Sequence, residues 1–185
     1  YGEKELGQNL NLVRTQKKSQ DETWETVVGE QKEIRNNYNE MTFYLAEKNE
    51  KQRLFSVRFR VFNEGVAFRY EIPPQPSFQR IIISDELTEF NVDLNGQAWR
   101  IPAYQATKYE LNYEKWPVYE LRDSVHTPLT IETNSNKYLA IHEAALYNYG
   151  SMTLKLNVEK CLQADITPLS DGMKAYVDLP FSSPW

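Results

Sequence analysis

The chain has few of the residues from which compact chemistry is usually built. Its 185 residues include one cysteine, Cys161, and two histidines, His126 and His142. A single cysteine excludes an internal disulfide and any cysteine-cluster zinc site, and two histidines leave little for a histidine-based metal centre. Glycine is scarce, with seven in all. None falls in a Gly-x-Gly-x-x-Gly or Gly-x-x-x-x-Gly-Lys-Ser/Thr pattern, so no phosphate cradle at a helix start is encoded. A Gly-x-Ser-x-Gly elbow is also absent, and a serine triad has no local signature. No apolar run approaches the roughly 18 residues of a spanning helix. There is no basic n-region followed by an apolar h-region, so any secretory signal is expected to have been removed or never to have existed. Excess positive charge is missing as well. The 21 Lys and Arg against 26 Asp and Glu give −5, a poor balance for neutralising nucleic-acid phosphates.

What is present is a foldable mixture, 41% hydrophobic and 13% aromatic. The length suits one domain, residues 1–185, able to bury about two-thirds of its unfolded surface. Residues 1–50 are the most polar part. Within them Leu10–Val13 and Trp24–Val28 are expected as short strands around a charged loop. Glu30–Glu40 lacks an apolar stripe and is expected as loop.

From Leu54 the pattern has period two. Phe55, Val57, Phe59 and Val61 alternate with Ser56, Arg58 and Arg60, and Val66, Phe68, Tyr70 and Ile72 alternate with Ala67, Arg69 and Glu71. Asn63-Glu64-Gly65 joins them as a hairpin turn in which Gly65 is free to take a positive φ. Pro73, Pro74 and Pro76 end it. Further strands are expected at Ile81–Ile83 as a buried run, at Thr88–Val92 before an Asn95-Gly96 turn, at 109–113, and at Leu129–Thr133 before a turn at Asn134–Asn136. Tyr138–Ala144 and Met152–Val158 are expected as a hairpin through Tyr147–Gly150, and Met173–Leu179 as the last strand. Many short strands with no amphipathic helix indicate an all-β antiparallel sandwich or barrel.

Several side chains invite functional readings. His142-Glu143-Ala144-Ala145-Leu146 is superficially like a zinc-protease helix motif, but Leu146 stands where the second histidine is needed. Glu143 itself, at the end of an apolar strand, is costly unless paired or bound to a cation; a solvated or salt-bridged strand-end charge is the simpler account. Asp85, Glu86 and Glu89 are most simply loop and surface charges, although glycosidases do use paired carboxylates. Trp24, Trp99, Trp116 and Trp185 could stack on sugar, but large rings more often fill a sandwich core. Arg58, Arg60 and Arg69 could hold an anion, a solvated face paired with Glu71 being the simpler account. Cys161 is expected as a small buried apolar residue.

The segment Val57-Arg58-Phe59-Arg60-Val61-Phe62-Asn63-Glu64-Gly65-Val66-Ala67-Phe68-Arg69-Tyr70 resembles the signature hairpin of the N-terminal domain of glycoside hydrolase family 97. Later motifs follow in matching order: Glu86–Phe90, Ala98-Trp99, Tyr109-Glu110, Tyr113-Glu114, Thr127–Thr130, Ile141–Leu146 with Tyr149 and Met152, Asp165–Pro168, Asp171-Gly172 and Pro184-Trp185. The resemblance runs from about Trp24 to the end. It implies a β-supersandwich of the galactose-mutarotase-like kind, packed in a longer chain on a catalytic (β/α)₈ barrel. That longer chain would be a calcium-binding, exo-acting α-glucosidase or α-galactosidase of the periplasm or a secreted space, acting on α-linked oligosaccharide. The catalytic residues would lie on the barrel. Glu143 would be the one calcium ligand that the N-terminal domain donates, and Asp165, in a loop motif, would face the substrate pocket. His142 would be structural. Leu169 stands where family members often carry tryptophan, so no stacking is expected there.

Two rivals stand beside this expectation. One is a free-standing carbohydrate-binding module with Trp99 or Trp116 as platform. The other is a structural interaction domain presenting an exposed apolar patch.

Overall fold

The computed structural model describes residues 6–50, 52–76, 78–105 and 110–185. In chain order the strands begin with β1 (Leu10–Glu25), β2 (Glu33–Glu47), β3 (Leu54–Val61), β4 (Val66–Ile72), β5 (Arg80–Ile83), β6 (Glu89–Phe90), β7 (Gln97–Arg100) and β8 (Glu114–Pro117). After a 3-10 turn at Val118–Glu120 follow β9 (Val125–His126), β10 (Leu129–Glu132), β11 (Tyr138–Ile141), β12 (Met152–Leu156), β13 (Leu162–Ile166), β14 (Ala175–Asp178) and β15 (Phe181–Ser182). The all-β, antiparallel architecture expected of the sequence is what forms. Two compact units result: Tyr1–Ile81 with Asp178–Trp185, and Ile82–Val177.

The first unit is a five-stranded sheet in the order β1-β2-β3-β4-β15. Its β3–β4 hairpin has the anticipated register, Val61 opposite Val66 through Ser56 opposite Glu71. The turn closes by Phe62 N–H donating to Gly65 O at 2.9 Å. Gly65 does not use a left-handed φ there, because the turn is wide enough for ordinary backbone.

The polar N-terminal region departs from expectation. In place of two short strands around a loop, β1 is one strand of 16 residues. Glu30–Glu40, expected as loop, supplies most of the first half of β2, from Glu33 onward. An apolar stripe is not required for this, because the two strands bond to each other and cross-strand polar pairs fix the register. Arg35 grips Asp21 with both guanidinium nitrogens at 2.9 and 2.7 Å, and Asn36 donates to Glu22 at 2.8 Å. β3 pairs with β2 only over Asn39–Ala46, so residues 20–25 and 33–38 form a ladder of β1 and β2 alone.

The two faces of this sheet differ in kind. One carries Phe43, Phe59, Phe68 and Tyr70 in edge-on or tilted contact at 5.7–6.0 Å between ring centres. The other buries Glu40, Thr42 and Ser56. There Arg58 bonds Glu71 at 2.9 Å and Glu40 at 2.7 Å, while Arg60 bonds Glu40 at 2.9 Å. The arginine face is therefore paired with Glu71, as expected, but it is not a solvated face: Arg58, Arg60 and Arg69 keep only 21–25% of their side-chain surface exposed, and Arg58 and Arg60 close over buried Glu40. Trp185 lies against both Arg60 and Arg69, at 4.1 and 4.4 Å.

The second unit contains two four-stranded sheets, β11-β10-β7-β8 and β6-β13-β12-β9. Ala98, Leu129, Ile131 and Ile141 from one sheet share a core with Val125, Leu154 and Leu162 from the other. The Asn134–Asn136 turn forms, with Asn136 N–H donating to Thr133 O at 3.0 Å, but it joins β10 to β11. The expected hairpin of Tyr138–Ala144 with Met152–Val158 does not form, since β12 pairs with β13 and β9 instead. Short loops close at least entropic cost, and the turns at 133–137 and 157–161 are shorter than the 142–151 connection. Strands β7 and β13 are not among the expected ones; β7 carries no period-two signal, whereas β13 does, with Leu162, Ala164 and Ile166 buried and Gln163 and Asp165 between them. Of the strand expected at 109–113, Tyr109 lies outside the described residues, residues 110–113 are extended coil, and pairing starts at Glu114. Ile81–Ile83 is not buried as a run, for Ile82 is exposed. β5 and β14 pair as a two-stranded sheet.

Candidate functional site

Beyond β11 the chain leaves the sheet, and Ala145 and Asn148 adopt left-handed φ values of 55° and 52°. These turns return the segment to β12, where the half-buried Glu143 accepts a 2.9 Å hydrogen bond from Met152 N–H. No lysine or arginine pairs with it among the described residues. Burial, mainly, and the nearby Glu86 charge hold its carboxyl above the usual carboxylate range, against the Met152 bond and His142, which favour the charged form. Glu86 is itself half-buried and fully engaged. One oxygen accepts from Tyr149 Oη at 2.8 Å and the other from Thr88 Oγ1 at 2.7 Å. Two acidic side chains thus lie near each other with hydroxyl and amide donors, and among the described residues no lysine or arginine is paired with either. Such a setting favours a proton or a metal ion. Among the described residues no group of three or more His, Cys, Asp or Glu side chains converges.

Asp165 is in strand β13, not in the loop where the sequence placed it. It sits opposite Thr153, the neighbour of the Met152 that Glu143 binds. Its Oδ2 accepts from Ser124 Oγ at 2.7 Å, and Lys155 and Lys174 stand 3.6 and 4.0 Å from Oδ1. The structure therefore hangs both expected site residues on the first two residues of β12, one unneutralised and the other well compensated. His142 is exposed, and Cys161 is only half-buried.

The tryptophans are not core. Trp99 and Trp116 keep 39% and 38% of their surface exposed. They lie on neighbouring strands but on opposite faces of the sheet: Trp116, on the edge strand β8, is opposite Ala98 on the core-bearing face, and Trp99, on the interior strand β7, is opposite Lys115 on the other. Lys115 sits 5.4 Å from the Trp99 ring and Arg100 4.5 Å from that of Trp116. Arg100 also bonds Glu114 at 2.9 Å, while its buried Nε lacks a partner among the described residues.

Comparison with known proteins places this geometry in a family. A family profile described as glycosyl-hydrolase 97 N-terminal matches residues 2–185. A variant of a family 97 enzyme from Pseudoalteromonas sp. strain K8 superposes with a TM-score of 0.90 at 36% identity, covering 96% of this chain. The chain belongs to the N-terminal domains of glycoside hydrolase family 97. The same strain's family 97 enzyme in complex with acarbose matches at 35% identity and TM-score 0.90. A β-arabinopyranosidase shares the fold at 20% identity, with a TM-score of 0.84. This family 97 domain spans 27% of the length of the Pseudoalteromonas enzyme.

Within the family 97 domain, Glu86 and Tyr149 are the site residues that pattern reasoning passed over as a loop charge and a turn aromatic. Both stand in the motifs that carried the resemblance. Their spacing of 63 residues left nothing local to link them.

Proposed function

We propose that this domain is the non-catalytic N-terminal part of a calcium-dependent, exo-acting α-glycosidase, and that it donates Glu143 to a calcium site completed by a catalytic (β/α)₈ barrel. The observation that carries this is the half-buried Glu143 carboxylate, without a cationic partner and beside Glu86. Calcium takes six to eight oxygens, so one or two carboxylates here leave most of the shell to another part of the protein. When bound, the ion would supply a Lewis acid that polarises a substrate or water oxygen. This chain's own residues hold the ligand in place: Met152 N–H fixes one oxygen of Glu143, and Tyr149 and Thr88 fix Glu86. Asp165 would offer a nearby acceptor to an α-linked oligosaccharide, and a periplasmic or secreted location goes with that substrate.

The test uses the longer protein that carries the domain. After chelation, initial rates on aryl α-glucoside and aryl α-galactoside are followed as calcium is returned, for wild type and Glu143→Ala. The variant should need far more calcium for half-maximal rate, and the preferred glycoside identifies the specificity. Superimposable calcium curves would reduce Glu143 to a strand-end charge.

A second reading is favoured by the exposure of Trp99 and of Trp116, either of which, on its own face of the sheet, suits a sugar platform in a free-standing carbohydrate-binding module. That reading requires saturable oligosaccharide binding by this chain alone, with a change in tryptophan fluorescence lost in Trp99→Ala or Trp116→Ala.

A further inference from the structure

The edge of the first unit's sheet carries a pattern that its own ladder does not use. Among the described residues β1 is the outermost strand, so alternate backbone N–H and C=O groups face away from β2, a ready template for another strand. Along this edge Leu12 and Val13 are 58% and 59% exposed, and just past its far end Val27 and Val28 are 100% and 85% exposed. Between them the charges fall into two blocks, Arg14, Lys17 and Lys18, then Asp21, Glu22 and Glu25.

Reversed about Gln20, this pattern complements itself. Lys18 meets Glu22, and Lys17 lies diagonally between Asp21 and Glu25. Val13 stands in a bulge of β1, and Val27 and Val28 lie in the bend that leads into β2, so the matched stretch is Arg14–Glu25. A two-fold axis perpendicular to an antiparallel ladder must pass between a residue and its own copy, which restricts the choice of register. Reversal about Ser19 sets Lys17 against Asp21 with Lys18 diagonal to Glu22, so both registers, centred on Ser19 and on Gln20, bring opposite charges together. Parallel apposition in register would stack like on like. Lysines on an edge strand guard it against indiscriminate pairing, and here the same charges favour one partner orientation.

We propose that a second copy of this chain pairs antiparallel along β1, about a two-fold axis at Ser19 or Gln20, joining the two sheets into one. The intrachain contacts of the strand are compatible with this. Lys18 reaches Glu40 at 3.2 Å and Asp21 holds Arg35 at 2.7 Å, yet 45% and 54% of these side chains remain exposed. The inference does not depend on calcium or on the proposed enzyme, so the two can fail separately.

Sedimentation velocity on this chain tests it. The expected result is a species of twice the 21.8 kDa chain mass that grows with concentration and recedes as salt is added. Lys17→Glu with Lys18→Glu should weaken association at least about tenfold, as should Glu22→Lys with Glu25→Lys. Mixing the two charge-reversed proteins should restore it, an outcome that a folding defect in either cannot produce. Alignment is read by oxidation: in a Cys161→Ser background, Gln20→Cys, at or next to the axis, should crosslink rapidly and Lys17→Cys should not. A chain that stays monomeric up to millimolar concentration overturns the proposal. So does a dimer indifferent to both charge reversals, or one in which the two cysteines crosslink equally.

Discussion

Glu40 and Glu143 are both carboxylates shielded from water, and their surroundings decide opposite chemistries. Burial pushes the Glu40 carboxyl up, but hydrogen bonds from Arg60, Lys18 and Arg58 outweigh it and hold the group below its ordinary value of 4.5. A lowered folded pKa means stability that is present above pH 4.5 and lost as pH falls through the folded value. Glu40→Gln should therefore cost about 2–3 kcal/mol at neutral pH, because two partly buried guanidiniums lose their shared partner. The difference from wild type should shrink steadily below pH 4.5; urea unfolding at several pH values measures it. Glu143 has no such cations. What it supplies to the fold is an acceptor for Met152 N–H, so in calcium-free buffer Glu143→Ala should cost about 1–2 kcal/mol, and Glu143→Gln, which keeps a carbonyl acceptor, much less. The same unfolding measurement separates them.

At the level of elements, two glycines mark where the strands tolerate change. A Cβ on Gly150 would meet Thr167 O at 2.4 Å and Ile166 Cγ2 at 2.7 Å, both on or beside β13. Gly150→Ala should destabilise by about 1–3 kcal/mol, since neither backbone nor packed core can yield cheaply. Gly65 has nothing within 4 Å of that position, and Gly65→Ala should shift the unfolding midpoint hardly at all. The β3–β4 hairpin was legible because its alternation matches the strand period. The β1–β2 ladder was not, because its stabilising pairs, Asp21 with Arg35 and Glu22 with Asn36, lie 14 residues apart and look like ordinary surface polarity until the strands meet. Pairing in the second unit was missed for a related reason. Alternation names a strand but not its partner, and β12 joins β13 across a turn built on Asn157, whose Oδ1 accepts from Glu159 N–H at 3.0 Å and Cys161 N–H at 2.9 Å. The tryptophans were misplaced because composition cannot tell a core ring from one laid under a lysine or arginine on the sheet.

At the scale of the whole molecule, Glu143 stands out in the sequence as a strand-end carboxylate, the calcium role proposed for it was legible only through family motifs, and its environment only through the fold. Strand-end glutamates are common; one that is half-buried, uncompensated and near Glu86 is a place where a cation would relieve repulsion. The membership in family 97 and the 27% share of its relatives' length put the remaining calcium ligands, in the account given above, on a part of the protein that this chain does not contain. The claim is best tested by equilibrium calcium titration of the longer protein, wild type against Glu143→Gln, by calorimetry after exhaustive chelation. One high-affinity site in wild type, weakened at least about tenfold in the variant at unchanged unfolding temperature of the metal-free protein, is the predicted result. Equal affinities would contradict the assignment of Glu143.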